Sequence, residues 1–428
     1  MSGWWLISAL VAQVPGAQTA ATPPPRPGNL VIHGEVSALA VTFPKQEDTR
    51  ELRTRALLDI TASPMPWLRL RVEGTAEVLW ADRGGSVDGA IVTVRDAWAE
   101  VRQDRFEIRA GYGRLVWGRL DEVMPSDVIN PIDTATFFLE GRTAARLPVA
   151  FMRSRVFLPG ETTVEAVVAL PGRRGRFDRL DEKTSPFNLT RDLVLPAGVP
   201  ASAIRRESIP AAWANLQGGV RVSTTAGRVD MSVSAWRGFE GFGLLSFVPF
   251  VLPAGSGPTP MVVGQLVESY PRFTMIAADA ETVRGGWAIR GEVAGFVDKT
   301  LDGPLGPIKG KAIDAGVGVD RAAGDFHVCG SVVWHREWSS LSSSYTRDHL
   351  NVIASLDRRF SRERYLVRVF GVANPEDRSG FVRGLASWSV RDNLMLEGSG
   401  GAFIGQGTDT IARFAGRDFV SARMRYLF

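Results

Sequence analysis

Phe419-Val-Ser-Ala-Arg-Met-Arg-Tyr-Leu-Phe428 closes the chain. Read as an extended strand, Val420, Ala422, Met424, Tyr426 and Phe428 fall on one face, with Ser421, Arg423 and Arg425 on the other. A period of two with one apolar and one charged face puts grease on one side and water on the other. Two arginines so near an aromatic C-terminus fit the last strand of a lipid-embedded barrel, apolar outward and polar inward. An edge strand of a soluble sheet is the ordinary alternative. The barrel therefore requires the same signature elsewhere.

It recurs from about residue 30 to the end. Leu68, Leu70, Val72, Gly74, Ala76, Val78 and Trp80 alternate with Arg69, Arg71, Glu73, Thr75 and Glu77. Ile313, Ala315, Val317 and Val319 stand against Asp314 and Asp320, and Phe326, Val328, Gly330, Val332 and Trp334 against His327, Cys329 and His335. The polar face is Arg, Asp, Glu, Ser and Gly, unlike the Lys and Glu of a soluble sandwich. Joins alternate between short ones (Ala226, Arg284, Ala323, Asp392) and longer ones (114–146, 171–210, 239–270, and those near 299–309 and 405–416). Short turns on one rim and long loops on the other are the rhythm of an outer-membrane barrel, and an even strand count puts both termini on the short-turn, periplasmic side. The fold class is thus all-β: a transmembrane antiparallel up-and-down barrel of about 18 strands (16–18) with an inward-folded third long loop. In strand 90–102 either register turns a charge outward, so Asp96 and Glu100 are expected outward near the periplasmic rim.

Composition agrees. The 428 residues include 45 glycines, mean hydropathy is near zero, and the net charge of +4 comes almost entirely from arginine. The longest apolar run past the N-terminus, 242–253, falls short of the roughly 20 residues a membrane helix needs. Residues 1–21 read as a signal peptide, with an apolar core from Trp4 to Val14 but no Lys or Arg before it. A Pro-rich spacer, 22–29, and the barrel, 30–428, follow. One cysteine, Cys329, excludes an internal disulfide framework. Arginines spread at alternate positions look like lining instead of a nucleic-acid footprint. His327, Cys329 and His335 share a face, but His335 lies too far along the strand for one ion to join both histidines. There is no G-x-S-x-G elbow, P-loop or dinucleotide fingerprint, so no catalytic residue, cofactor or metal is expected.

Three groups of residues are candidates for function. The connection 114–146 follows the fifth predicted strand and carries helix-capping and turn residues at Asp127, Asn130 and Asp133. Phe137, Phe138 and Leu139 are expected to anchor it to the wall, leaving Arg119, Asp121, Glu122, Asp127, Asp133, Glu140 and Arg142 to line a constriction. The lumen-facing ladder comprises Arg69, Arg71, Arg153, Arg155, Arg221, Arg237, Arg290, Arg321, Arg368, Arg423 and Arg425, with Glu73 and Glu292 among its carboxylates. It is either a funnel with anion preference or a set of neutralised wall networks. The apolar mouth loop, with Phe242, Leu244, Leu245, Phe247 and Phe250, either captures a hydrophobic solute or packs into the mouth.

Trp117-Gly118-x-x-Asp121, followed by Asp127-Val-Ile-Asn130-Pro131-Ile-Asp133, resembles a segment of porin-like proteobacterial outer-membrane barrel families of unknown function. The likeness spans roughly residues 90–190 and takes in Val94-Arg-Asp-Ala-Trp98, Arg109-Ala-Gly-Tyr-Gly113 and Arg176-Phe-Asp-Arg-Leu-Asp-Glu182. It implies a barrel of that kind, and some such barrels are thought to move hydrophobic compounds. The expected function is a passive outer-membrane channel for small solutes with mild anion preference. The alternatives are an occluded transporter of hydrophobic compounds and a structural or surface-interaction barrel. Expected partners are outer-membrane lipid, a small-molecule solute and, through Phe428, the barrel-assembly machinery. No nucleic acid is among them, and both a monomer and a homotrimer fit.

Overall fold

A computed structural model describes residues 28–428 apart from 47–48, 122, 191–203, 211, 253–260, 304–305, 342–344 and 408. The side chains of 204, 249–252 and 261–265 are also outside the described set. The expected signal peptide, the spacer through residue 27, Glu122 and the side chain of Phe250 therefore lie outside the described residues.

The first half of the barrel is β1 (Asn29–Phe43), β2 (Thr49–Met65), β3 (Leu68–Asp82), β4 (Ser86–Arg102), β5 (Phe106–Gly113), β6 (Val149–Leu158) and β7 (Thr162–Ala169). After the short β8 (Ile204–Arg206) come β9 (Gln217–Ala226) and β10 (Val229–Phe239). A hairpin, β11 (Leu244–Leu252) and β12 (Met261–Ser269), precedes β13 (Arg272–Arg284), β14 (Trp287–Gly303), β15 (Gly306–Ala323) and β16 (Phe326–Ser339). The wall ends with β17 (Thr346–Phe360), β18 (Tyr365–Asn374), β19 (Ser379–Arg391), β20 (Leu394–Ile404) and β21 (Phe419–Leu427). Eighteen of these form one antiparallel sheet, which closes where β1 pairs with β21 from Glu35↔Leu427 to Thr42↔Val420. Closure leaves the sheet without a free edge strand, so wall N–H and C=O groups bond between neighbouring strands, as hydrocarbon demands.

The seam is completed by the last residue. Gly34 N donates to Phe428 O at 2.8 Å and Phe428 N to Gly34 O at 3.0 Å. A Cβ on Gly34 would sit 2.2 Å from the Phe428 ring, so only glycine lets the ring lie across this strand. The outward face of β21 is Val420, Ala422, Met424 and Tyr426, and the inward face Phe419, Ser421 and Arg423.

β4 corrects the expectation for Asp96 and Glu100. The pairing with β3 runs Glu73↔Asp96 and then Gly74↔Val94, which leaves Arg95 as a β-bulge. The extra residue shifts the side-chain parity by one. Arg95, Asp96, Trp98 and Glu100 are all buried inward, while Val92 and Val94 stay outward. A sequence period of two cannot show this, because the bulge alters the count itself. Arg237 and Arg321 are also corrected. Both face outward, Arg237 pairing with Asp298 at 3.1 Å and Arg321 lying 5.3 Å from the Trp287 ring centroid. Each sits near a strand end, where an outward charge costs little.

Val92, 80% exposed near the middle of β4, sets a direct test of the lipid face. Val92→Lys is expected to destabilise the barrel by about 2–4 kcal/mol in vesicle refolding against urea, and the inward Thr93→Lys by much less. Equal effects at the two positions would contradict the assigned faces.

The connections near 299–309 and 239–270 differ from the sequence reading. β14 and β15 continue as a paired ribbon beyond a bulge at Phe296/Lys299, to Gly303↔Gly306. The apolar segment from Leu244 is the edge of a separate three-stranded sheet, β11–β12–β8. Pro249 is tolerated there because an edge strand has one side free of ladder bonds.

Candidate functional site

The site is built by the connection between β5 and β6, residues 114–148, which is bound to inward-facing wall residues on several strands. Asn130 ties its two ends together: Oδ1 accepts from Leu115 N at 2.8 Å and Nδ2 donates to Leu147 O at 2.7 Å. Trp117 Nε1 donates to Glu165 Oε1 on β7 at 2.7 Å, and its ring meets Trp236 edge-on at 5.6 Å. Gly118 has φ +97°, and a Cβ there would come 2.9 Å from the Glu292 carboxylate. That close approach lets Glu292 of β14 accept from Arg119 N (3.0 Å), Leu120 N (3.3 Å), Ser126 N (2.6 Å) and Ser126 Oγ (2.7 Å).

The second half is helical. In α1 (Thr134–Glu140), Asp133 caps the first turn by accepting from Thr136 N at 2.8 Å. Its other oxygen takes Arg176 Nε at 2.7 Å. Arg383 of β19 donates to the helix-end carbonyls Phe138 O and Leu139 O. Glu140 binds Arg55 of β2 at 2.7 Å and lies 3.5 Å from Arg423 of β21. A short second helix, α2 (Arg142–Ala145), brings Arg142 and Arg146 onto Asp127 at 2.8 and 2.7 Å. Strands β2 and β14 are nine places apart in the ring of 18, so these anchors lie on opposite sides of the barrel.

The predicted constriction residues are thus brought together, but as anchors and not as free lining. Arg119 pairs with Asp279 and with Glu281 (3.2 Å), and Asp121 with Arg290 (2.6 Å). Burial alone would push the Asp127 carboxyl up, but Arg146 and Arg142 outweigh it and hold it below the usual range. For Glu140, likewise, Arg55, Arg423 and Arg179 overcome burial and hold it well below that range. A depressed acid contributes stability that is present above its unfolded pKa, about 4, and lost as pH falls through the lower folded value. Proteolytic protection of the 127–146 part of this connection is therefore expected to be unchanged from pH 7 to 5 and lost only in stronger acid. Release at pH 5 would show that the clamps are not ion pairs.

A second connection supports the first. Asp178 accepts from Arg53 at 2.7 Å and lies 3.4 Å from Arg83, while Glu51 binds both arginines at 2.6–2.7 Å. Arg179 pairs with Glu77, and Ala135 N donates to Phe177 O at 2.8 Å. Between these connections and the wall lies an apolar cluster centred on Phe138. Its ring centroid is 4.7–5.4 Å from those of Phe137, Phe187, Phe381, Phe403 and Phe414. The expectation that Phe137, Phe138 and Leu139 anchor the segment agrees with their burial.

The remaining ladder faces inward as ion pairs. Arg71 binds Asp59 (3.0 Å) and Glu73 (2.8 Å), Arg155 binds Glu165 (2.5 Å), Arg221 binds Asp279 (3.0 Å) and Arg368 binds Asp357 (2.6 Å). Arg153 binds Glu107, Arg290 also reaches Glu281 (3.1 Å), and Arg425 lies 3.8 Å from Glu397. Arg69 lies 5.9 Å from the Trp98 ring centroid. In the mouth loop Leu244 is buried and Phe242 packs on Phe177 at 6.0 Å, Leu245 is half-buried, and Phe247 is exposed.

A closed ring of strands, greasy outside and ion-paired within, decides the architecture. The fold is that of an outer-membrane β-barrel. No family model matches the chain, and no curated protein matches it. Among solved structures, OccK5 (OpdH) of Pseudomonas aeruginosa aligns with a TM-score of 0.50 at 10% identity, covering 94% of this chain and 97% of that one. OccK2 (OpdF) of the same organism, in complex with glucuronate, gives 0.49 at 10% with the same coverage. OmpT, an outer membrane protein of Vibrio cholerae, in its trimer form gives 0.43 at 12%, covering 94% and 100%. At such identities the likeness to OccK5 concerns fold alone. No described helix is long and apolar enough to cross a membrane.

Sequence reasoning missed Glu51, Arg53, Arg55 and Asp178. The first three alternate along β2 and were legible as one inward face. Asp178 was not, because its partners are 125 and 95 residues away.

Proposed function

We propose that the chain is an outer-membrane channel of porin type for passive diffusion of small solutes, with the 114–148 connection as its constriction. The observation that carries this reading is the anchoring of that connection to both β2 and β14, across the full width of an ion-paired lumen. A barrel of 18 strands would otherwise leave a wide aqueous pore. The Arg side chains are matched by carboxylates, so charge preference is mild and anion bias, if measured, is carried by the more open Arg69, Arg71 and Arg155.

In planar bilayers small ohmic steps are expected. Deleting 117–140 should enlarge them severalfold, and unchanged steps would reassign the segment as an external lid. Arg69→Ala with Arg71→Ala should shift the reversal potential toward cations; an unmoved potential discards the bias. Under a second reading, transport of a hydrophobic solute, the Phe138 cluster occludes the lumen and Leu244–Leu252 forms the capture surface. It is favoured if no ohmic steps occur at all. The assembly signal we propose is the terminal Phe428, a reading supported by its exposure beside Tyr426 at the seam. Deleting it is expected to reduce the amount of assembled barrel.

A further inference from the structure

One cavity in the mouth borders the ion-paired wall and is not filled by the Phe138 ring. It measures about 160 Å³ and lies between residues 123–132, the start of the mouth hairpin and the inner faces of β13–β17. Apolar cavities of roughly 150 Å³ accept a single benzene ring. Its apolar side is formed by Val123, Val128, Phe242, Phe273, Leu301 and Val333.

The polar side is specific in sign. Five lining residues are carboxylates (Asp127, Glu240, Asp302, Asp314, Glu337), of which Asp127 is already held by Arg142 and Arg146, and two are bases, Lys299 and His335. Both bases have acid partners: Lys299 Nζ is 3.1 Å from Glu240 Oε1, and His335 bonds Asp314 and lies 3.6 Å from Glu337. Asn351, only 5% exposed, also lines the space, and its Oδ1 has no hydrogen-bond partner among the described residues. A buried acceptor left unmatched is costly and calls for a donor.

We infer that this cavity is a binding site for a small aromatic cation: one ring against the phenylalanine and aliphatic wall, and a protonated amine toward Asn351 and the surrounding acids. An anion would meet the unmatched Asn351 acceptor among the carboxylates of Glu240, Asp302, Asp314 and Glu337. The inference deepens the channel reading by naming a solute class, and it rests on that reading only for the route of entry, not for binding.

The test is equilibrium dialysis of the full-length barrel in detergent micelles against benzylamine, benzyl alcohol and benzoate near neutral pH. Benzylamine, protonated there, is expected to bind at least about tenfold more tightly than benzoate. Asn351→Leu should remove about tenfold of its affinity, and Val333→Phe, which fills the space, should abolish binding of all three. Each variant is first shown to be folded by heat-modifiable migration. Benzoate binding as tightly as benzylamine in the unmodified protein, which depends on no variant, overturns the inference, as does Asn351→Leu binding unchanged. A protein that binds benzylamine selectively yet passes no current keeps this inference and loses the channel reading. One that conducts without selectivity between the two loses this inference alone.

Discussion

Phe138→Ala is expected, on the channel function proposed above, to give single-channel steps that are noisier and larger than those of the unmodified protein. Phe138 is 1% exposed, and its ring is the hub of contacts joining α1 to Phe381 and Phe403 on the wall and to Phe187 and Phe414 on two other connections. Truncating a buried phenylalanine costs about 3–5 kcal/mol through lost burial and the cavity left behind. That loss should fall on the seating of the connection and spare the barrel, whose wall is held by its own ladder. The expected result is a protein with normal heat-modifiable migration but with fluctuating, enlarged single-channel steps. A variant with unchanged step size and noise would show that the cluster does not hold the constriction in place.

Glu292→Ala should release the other side of the same segment. The carboxylate accepts from three backbone N–H groups and one hydroxyl, all of them in the 119–126 stretch. Each buried donor left without an acceptor costs about 1–3 kcal/mol, so the segment is expected to leave the wall for water. Trypsin should then cut at Arg119, whose side chain is paired with Asp279 and Glu281 in the native structure. Glu292→Gln, which keeps one acceptor oxygen, is expected to fall between the two. Protection at Arg119 unchanged in the alanine variant would place the anchor elsewhere.

The two variants address different physics, apolar burial on the β19–β20 side and donor satisfaction on the β14 side. They act on sites with no shared partner, so their effects on conductance should combine near additively. A large departure would mean that the connection is released as one unit by either change.

The motif Trp117-Gly-x-x-Asp121…Asn130-Pro-x-Asp133 acquires a mechanical meaning in this setting. Trp117 fixes the exit from β5, Gly118 admits the Glu292 carboxylate, Asp121 reaches Arg290, Asn130 joins the two ends and Asp133 caps α1 while holding Arg176. None of these residues is left over for chemistry. The sequence could show that the segment was special, since turn and capping residues are recognisable locally. It could not show where each side chain would be spent. Arg119 and Glu140 read as free lining because their partners, Asp279 and Arg55, are distant in the chain.

The alternation recurring from β1 to β21, together with the rhythm of short and long joins, was enough to point to a lipid-embedded ring of about 18 strands, though it misplaced Arg237 and Arg321. The reason is that the side-chain period of a strand is local and lipid enforces it at every turn of the pleat. Tertiary structure alone decided the bulge at Arg95, the hairpin that Leu244 begins, and the contacts of 114–148 with both β2 and β14. Each of these depends on which distant backbone or charge comes within hydrogen-bond reach, and no periodicity in one stretch of chain encodes a partner a hundred residues away.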